Sequence, residues 1–371
     1  MSRQSIRIEP LSAPRAVQLP AELGFGRHFT NRMFTQRYTA KRGWHDATIG
    51  PYRALDLDPA AQILHSGQNI FEGTKAYLRP DGRVNFFRID RNMARFNRSA
   101  ERMSMPQVDP EAHIAAIETL VRLEHEWIPG EPGSALYIRP VMIAAEPTLE
   151  VRAARSFLHY IILSPVGPYF GSGLKPVSVY ISHDHVRAVR GGTGEAKTTA
   201  NYAGSIYVTE IARTLGFQQV LWLDAVERRY VEECGAMNIA FVYEGGHIRT
   251  PALSGSILPG VTRESILRLA PDLGYRMSED RIDVAEMLAD LERGRITEVF
   301  AMGTGAVIAP VGRFGYHGKE FEVNAMRTGP VAQRLFDTLT AIQSGRAPDP
   351  YGWTRVVEVA TPAHPRTTTR A

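Results

Sequence analysis

The sequence predicts an α/β chain of α+β character, built as two lobes with mixed, largely antiparallel sheets. Three observations predict it. Short β-branched and aromatic runs mix with amphipathic helical stretches along most of the chain. Their order lacks the regular β-α-β alternation of a doubly wound sheet. The Gly/Pro-rich stretch GPYFGSGLKP (167–176) interrupts the pattern near the middle of 371 residues, a length that suits about two domains.

In chain order, residues 1–20 are expected to be poorly ordered. A small N-terminal α/β domain is expected over 21–168. Its strands are VNFFR (84–88), ALYIRPVMIAA and HYIILSPV, chosen by β-branched and aromatic content. Its helices are IDRNMARFNRSAERM and PEAHIAAIETLVRLEHEW. In the second helix Ile114, Ile117, Leu120, Val121 and Leu123 recur at helical spacing. A linker is expected over 169–177, then a large C-terminal domain over 178–359 and a flexible tail over 360–371. The large domain reads as strands VSVYIS, QVLWLD, YVEEC, NIAFVYEG and EVFAMGTGAVIAPVG. Its helices are expected near 202–214, 261–272, 283–293 and 326–344.

Hydrophobic residues make up 44% of the chain and charged residues 22%, an ordinary globular composition. The net charge of +4 is small. Its one candidate stripe, Arg91, Arg95, Arg98 and Arg102, reads as a solvated helix face, so neither nucleic acid nor membrane is an expected partner. Cys234 is the only cysteine, so neither an internal disulfide nor a paired-Cys metal site is expected. The first residues carry no apolar core of a secretory signal, and no apolar run approaches a membrane span. A cytoplasmic protein is the expectation.

GGTGEAKTTANYA (191–203) comes within one residue of a phosphate-binding P-loop. A P-loop needs a strand running straight into it. Here VSVYIS ends at Ser182 and polar residues follow, and Ala196 stands where the wrapped backbone wants glycine. Nucleotide hydrolysis is therefore disfavoured. A second anion site is suggested by LPGVTRESIL, a Pro-Gly turn opening an amphipathic helix. The amides of Gly260, Val261 and Thr262 would be free there, at the positive end of the helix dipole. Thr304, in GTG after an apolar strand, could donate its hydroxyl to the same phosphate.

Several segments together resemble one family in the same order: FEGTKAY, MARFNRSAERM, LYIRPVMIAAEPTL, GGTGEAKTTANYA, EECGAMN, LSGSILPGVTRESIL and EVFAMGTGAVIAPV. They resemble the branched-chain aminotransferases, pyridoxal-phosphate enzymes of fold type IV, from about Gly24 to Trp353. The resemblance implies that Lys197 forms the Schiff base with pyridoxal 5'-phosphate and shuttles the substrate proton. Glu233 would pair with the pyridine nitrogen, keeping the ring an electron acceptor. Glu232, next along the strand, would face the other way and be an ordinary structural acid. Tyr202 would bond the ring hydroxyl. Arg95, Gly260, Val261, Thr262 and Thr304 would hold the phosphate, with Arg187 near it. Phe71, Tyr137, Arg139, Tyr169, Ala236, Gly305 and Ser66 are the implied substrate positions. Tyr137 and Arg139 alternate along one strand and so share a face. Leu149 and Val151 match positions that a second subunit contributes, so a homodimer is implied.

Some pocket positions depart from the family. Ser66 replaces a common tyrosine, Gly305 a common alanine, and Thr198, Thr199 and Ala200 follow the lysine where an apolar residue and glycines are usual. The expected activity is transfer of an amino group between Leu, Ile or Val and 2-oxoglutarate. The alternatives are a specialised enzyme for a larger or more polar amino acid in secondary metabolism, a fold type IV lyase, or a D-amino acid aminotransferase.

Overall fold

The computed structural model describes residues 5–17, 19–168 and 174–359. The chain divides into two compact units, residues 1–169 with 341–371, and residues 170–340. Among the described residues no helix is long and apolar enough to cross a membrane.

The first unit is a nine-stranded sheet. Its path runs Arg7–Ile8, Gly43–Pro51, Arg32–Thr39, Ser156–Val166, Ala135–Ala144, Thr74–Leu78, Val84–Phe87 and Thr354–Val357. Asn69–Phe71 also pairs with Ala135–Ala144. Every pairing is antiparallel except that of Arg7–Ile8. Strand alternation divides the residues by face. Leu136, Ile138, Ile161 and Leu163 join Phe86, Ile89, Met93, Ile117 and Leu120 in a buried core. The helices Ile89–Arg102 and Pro110–Leu123 supply much of that core. Pro110 opens the second helix and Asp109 caps it by accepting from Ala112 N–H at 3.0 Å. That helix is shorter than its periodicity suggests. His125–Trp127 is a separate 3-10 turn. Thr354–Val357 pairs antiparallel with Val84–Phe87, a return to the first sheet that an expected domain of 178–359 does not include.

The second unit is also a nine-stranded sheet. Its path runs Val231–Cys234, Gln219–Leu223, Val177–Ser182, Val307–Tyr316, Ile296–Gly303, Asn238–Tyr243, His247–Pro251 and Arg276–Asp280, with Lys319–Glu322 on Val307–Tyr316. Val177–Ser182 is parallel to both its neighbours, and His247–Pro251 is parallel to Arg276–Asp280. The other pairings are antiparallel. The sheets are mixed and largely antiparallel, as the irregular order of elements predicts. Val179, Ile181, Leu221, Phe241, Val299 and Phe314 form the core with Met287, Leu288 and Leu291 from the helix Val284–Glu292. Asp283 caps that helix on the amides of Ala285 and Glu286. Buried Glu298 caps Pro330–Gln343 on the amides of Val331 and Ala332, both at 2.9 Å.

One buried polar pair in the first unit stands out against its apolar setting. The rings of His113 and His159 meet edge to face, centroids 4.6 Å apart, beside Phe96. None of their four nitrogens has a hydrogen-bond partner. Burial holds His113 down to about 3, with Glu72 opposing the shift, and holds His159 well below its ordinary value with His113 adding to the effect. Both folded values lie below the unfolded value of about 6.5. The unfolded chain therefore binds more protons, and stability falls as pH drops below about 6.5 towards the folded values. Urea unfolding at pH 7, 5.5 and 4 should show a steep loss. A His113→Leu variant should flatten it by up to about 1.4 kcal/mol per pH unit.

Candidate active site

The lysine singled out by sequence stands on a loop that other side chains shape. Asn201 lies near the start of the helix Ala200–Thr214. Its amide donates to Thr193 O and Ala196 O, both at 2.8 Å, while Thr193 Oγ1 donates to Asn201 Oδ1 at 2.7 Å. These bonds fold residues 193–196 back over the helix start and leave Lys197 at its mouth. Lys197 is half-buried. Its Nζ donates to the hydroxyl of Tyr202, in the first turn of that helix, at 2.9 Å.

Beside that loop lies a small cleft lined by residues that include Arg187, Tyr202, Glu233, Ala236 and Leu258. Glu233 belongs to the strand Val231–Cys234 and is buried. An unpaired carboxylate there would be expensive. Its Oε1 accepts from Leu258 N–H at 2.7 Å, and its Oε2 lies 3.1 Å from Arg187 Nε. Burial raises its proton affinity. Arg187, the Leu258 amide and Lys197 oppose that rise. Arg187 Nε is buried and has no partner of hydrogen-bond geometry. Its terminal nitrogen donates to the carbonyls of Ser256 and Gly194. A Cβ on Gly194 would run into the Ser256 carbonyl, so only glycine allows this approach.

Glu232 is also buried, its Oε1 accepts from Ser254 and Ser256 hydroxyls, and its Oε2 has no partner. Burial raises its proton affinity too, with the Ser256 hydroxyl and Arg187 opposing. Its hydrogen bonds to the Ser254 and Ser256 hydroxyls are those of a buried structural acid.

The expected phosphate residues lie on two segments, the start of the helix after Gly260 and the turn at Thr304. Gly260 precedes the helix Val261–Asp272 and brings no capping side chain, so the first-turn amides there have no side-chain acceptor from the cap. Val261 and Thr262 are buried in that first turn. Thr304 and Gly305 are half-buried in the tight turn joining Ile296–Gly303 to Val307–Tyr316.

In the first unit, Phe71, Tyr137 and Arg139 share a face, as alternation predicts. The Arg139 guanidinium lies 4.8 Å over the Phe71 ring and 5.2 Å over the Tyr137 ring. It donates to the Tyr137 hydroxyl at 3.1 Å, while its Nε is buried without a partner. Arg95 leaves the expected solvated stripe. It is buried and doubly bonded to buried Glu72, at 2.6 and 3.0 Å, whereas Arg91, Arg98 and Arg102 are exposed. Ser66 is exposed, and its hydroxyl donates to Gln62 O at 3.0 Å. It is not among the residues gathered around Arg139. Leu149 and Val151 lie 71% and 94% exposed. Tyr169 falls outside the described residues.

The comparisons with known proteins bear on this arrangement. Residues 69–314 match the model of the family described as amino-transferase class IV. The chain belongs to the class IV aminotransferases. Within that class it is similar to the branched-chain-amino-acid transaminase 1 of Bacillus subtilis, 50% identical over 90% of this chain and 94% of the relative. It is also similar to branched-chain-amino-acid aminotransferase 2 of the same organism, 45% identical over 97% of this chain and 99% of the relative. Among solved structures, the branched-chain aminotransferase of Thermoproteus uzoniensis with norvaline superposes with a TM-score of 0.71 at 25% identity, over 87% of this chain and 99% of that one.

Class IV aminotransferases use pyridoxal phosphate, and the residues of this aminotransferase fit that group. The buried Glu233 carboxylate, lining the cleft with Arg187 and Tyr202, keeps acceptor capacity for a ring N–H beyond the Leu258 amide and Arg187. Sequence reasoning missed Asn201, Ser254, Ser256 and Glu72. The only available signals were an Asn one residue before Tyr202 and a Glu inside FEG, neither of which names a partner. A Gly194→Ala variant should displace the Ser256 carbonyl and cost about 1–3 kcal/mol in thermal or urea unfolding. Ala at Gly204, where the added Cβ meets nothing, should cost nothing and serves as the control.

Proposed function

We propose that this aminotransferase moves the amino group of L-leucine, L-isoleucine or L-valine to 2-oxoglutarate. The observation that carries the reading is the bond from Lys197 to Tyr202, which lines one cleft with Glu233 and Arg187, in a chain half identical to a branched-chain transaminase.

Lys197 would hold pyridoxal phosphate covalently, Glu233 would accept from its ring nitrogen, and Tyr202 would bond its ring oxygen. The amides of Gly260, Val261 and Thr262 and the Thr304 hydroxyl would hold its phosphate. Bound, the group supplies an aldehyde for exchange with amines and a ring that spreads the electron pair left by a departing α-proton. The protein supplies the rest. The Lys197 amine, aimed by the Tyr202 hydroxyl at 2.9 Å, carries the proton to and from the substrate carbon. Burial raises the proton affinity of Glu233, and Arg187 and the Leu258 amide oppose that rise. In the first unit, Arg95 remains the proposed phosphate arginine, and Tyr137 and Arg139 the proposed carboxylate ligands. The buried, unpaired Arg139 Nε and its stacked neighbours suit a planar anion.

A homodimer and a cytoplasmic setting belong to the same proposal. Leu149 and Val151 are large apolar side chains left exposed together on one loop, as an interface would have them. The single cysteine, buried and raised to about 12, has no disulfide partner in the chain.

Purified protein should be yellow and bleach on adding an amino donor. Lys197→Ala should lose at least about 10²–10⁴-fold in turnover; a variant that still transaminates would refute the assignment. Leu, Ile and Val should bleach the colour fastest in a panel of amino acids. Faster bleaching by a larger polar amino acid would instead assign the enzyme to a specialised substrate, as Ser66 and Gly305 first suggested.

A further inference from the structure

Asn238, the last residue of EECGAMN, has no role in the function so far. It is buried at the first position of the strand Asn238–Tyr243. Its backbone is in register with Met302, two residues before Thr304. Its Nδ2 donates to Leu258 O at 3.0 Å. On its other side, a Cβ on Gly260 would run into its Oδ1. One side chain therefore touches both ends of the Leu258–Gly260 turn, from a strand position aligned with the start of the Thr304 turn. Meanwhile Leu258 N–H is taken by Glu233. Leu258 is thus gripped on its amide by the first residue of the E-x-G-x-M-N motif and on its carbonyl by the last.

We propose that Asn238 is the positioning residue of the phosphate cup. It fixes the turn that opens the helix Val261–Asp272 and so aims the first-turn amides at the phosphate beside the Thr304 hydroxyl. The inference rests on the pyridoxal-phosphate reading of the cleft. Backbone amides serve an anion only where they converge. Here the cap residue is glycine, so no capping side chain holds the turn. The amide of Asn238 does so instead. An aspartate would set a carboxylate against the Leu258 carbonyl, two acceptors with no proton between them. Gly260 completes the fit, because any larger residue would push Asn238 off the turn.

The test separates the phosphate from the rest of the cofactor. The full-length chain, freed of cofactor, is titrated with pyridoxal phosphate and with pyridoxal, which lacks the phosphate. Binding is followed by the visible absorbance that Lys197 confers. Asn238→Asp should weaken pyridoxal phosphate about tenfold, the scale of one hydrogen bond lost and an acceptor left unpaired, and change pyridoxal by less than about twofold. Gly260→Ala perturbs the same contact from the other side and should give the same selective loss, so the test stands even if one variant fails to fold. Equal losses for both compounds would mean that Asn238 merely supports the fold. Unchanged pyridoxal phosphate binding in folded variants would overturn the proposal outright. A wild-type chain that colours with neither compound would instead sink the cofactor reading itself, and the two failures cannot be confused.

Discussion

A carboxylate taken out of water must find its counter-charge and its hydrogen bonds inside the protein, and Glu233 is the carboxylate around which the second unit is arranged. Its two oxygens face Arg187 and the Leu258 amide. Arg187 in turn needs the carbonyls of Ser256 and Gly194. Those carbonyls can come so close only because residue 194 lacks a side chain. The same loop then turns through Asn201 to present Lys197 to Tyr202. Each step answers the demand of the one before. The breaking of any one leaves a buried polar group without a partner, at a cost of a few kcal/mol.

The first unit solves the same problem with Glu72 and Arg95. Both are buried, and their paired bonds satisfy each other at a place where either alone would be severely destabilising. The sheet nearby divides its labour by face. One side carries the aliphatic core, and the other carries Phe71, Tyr137 and Arg139 as a stacked group with one guanidinium nitrogen left over. The buried Arg139 Nε, without a hydrogen-bond partner, lies where the substrate carboxylate is proposed. The two histidines are different. They sit in an aromatic core with no route to a ligand, and their effect is on acid stability alone.

Much of this was legible in the chain. β-Branched and aromatic runs marked most of the strands, and 3.6-period runs the helices, because burial of one helix face imposes that spacing. Motif order named Lys197, Tyr202 and Glu233; Tyr202 and Glu233 line one cleft and Lys197 is bonded to Tyr202. What failed had local causes. Arg95 kept helical spacing with three exposed arginines, and spacing cannot show that Glu72, far back in the sequence, draws it inward. Alternation put Glu232 on the far side of its strand but could not name the serines of 254–256 that meet it there. The strand Thr354–Val357 returns to the first sheet through an edge pairing that its residues do not announce.

The sequence by itself determined the types of element, the irregular order that excludes a doubly wound sheet, and the lysine, tyrosine and glutamate of the proposed chemistry. The elements follow from side-chain periodicity and composition, and the three residues from the motifs that resemble the branched-chain aminotransferases. Only the tertiary structure decided the partners: Arg187 for Glu233, Glu72 for Arg95, Asn201 for the lysine loop, and Asn238 for the turn at Leu258. Each of these bonds joins residues that the fold brings together. Their strength depends on ångström-scale distance and on exclusion of water, which spacing along a chain does not encode.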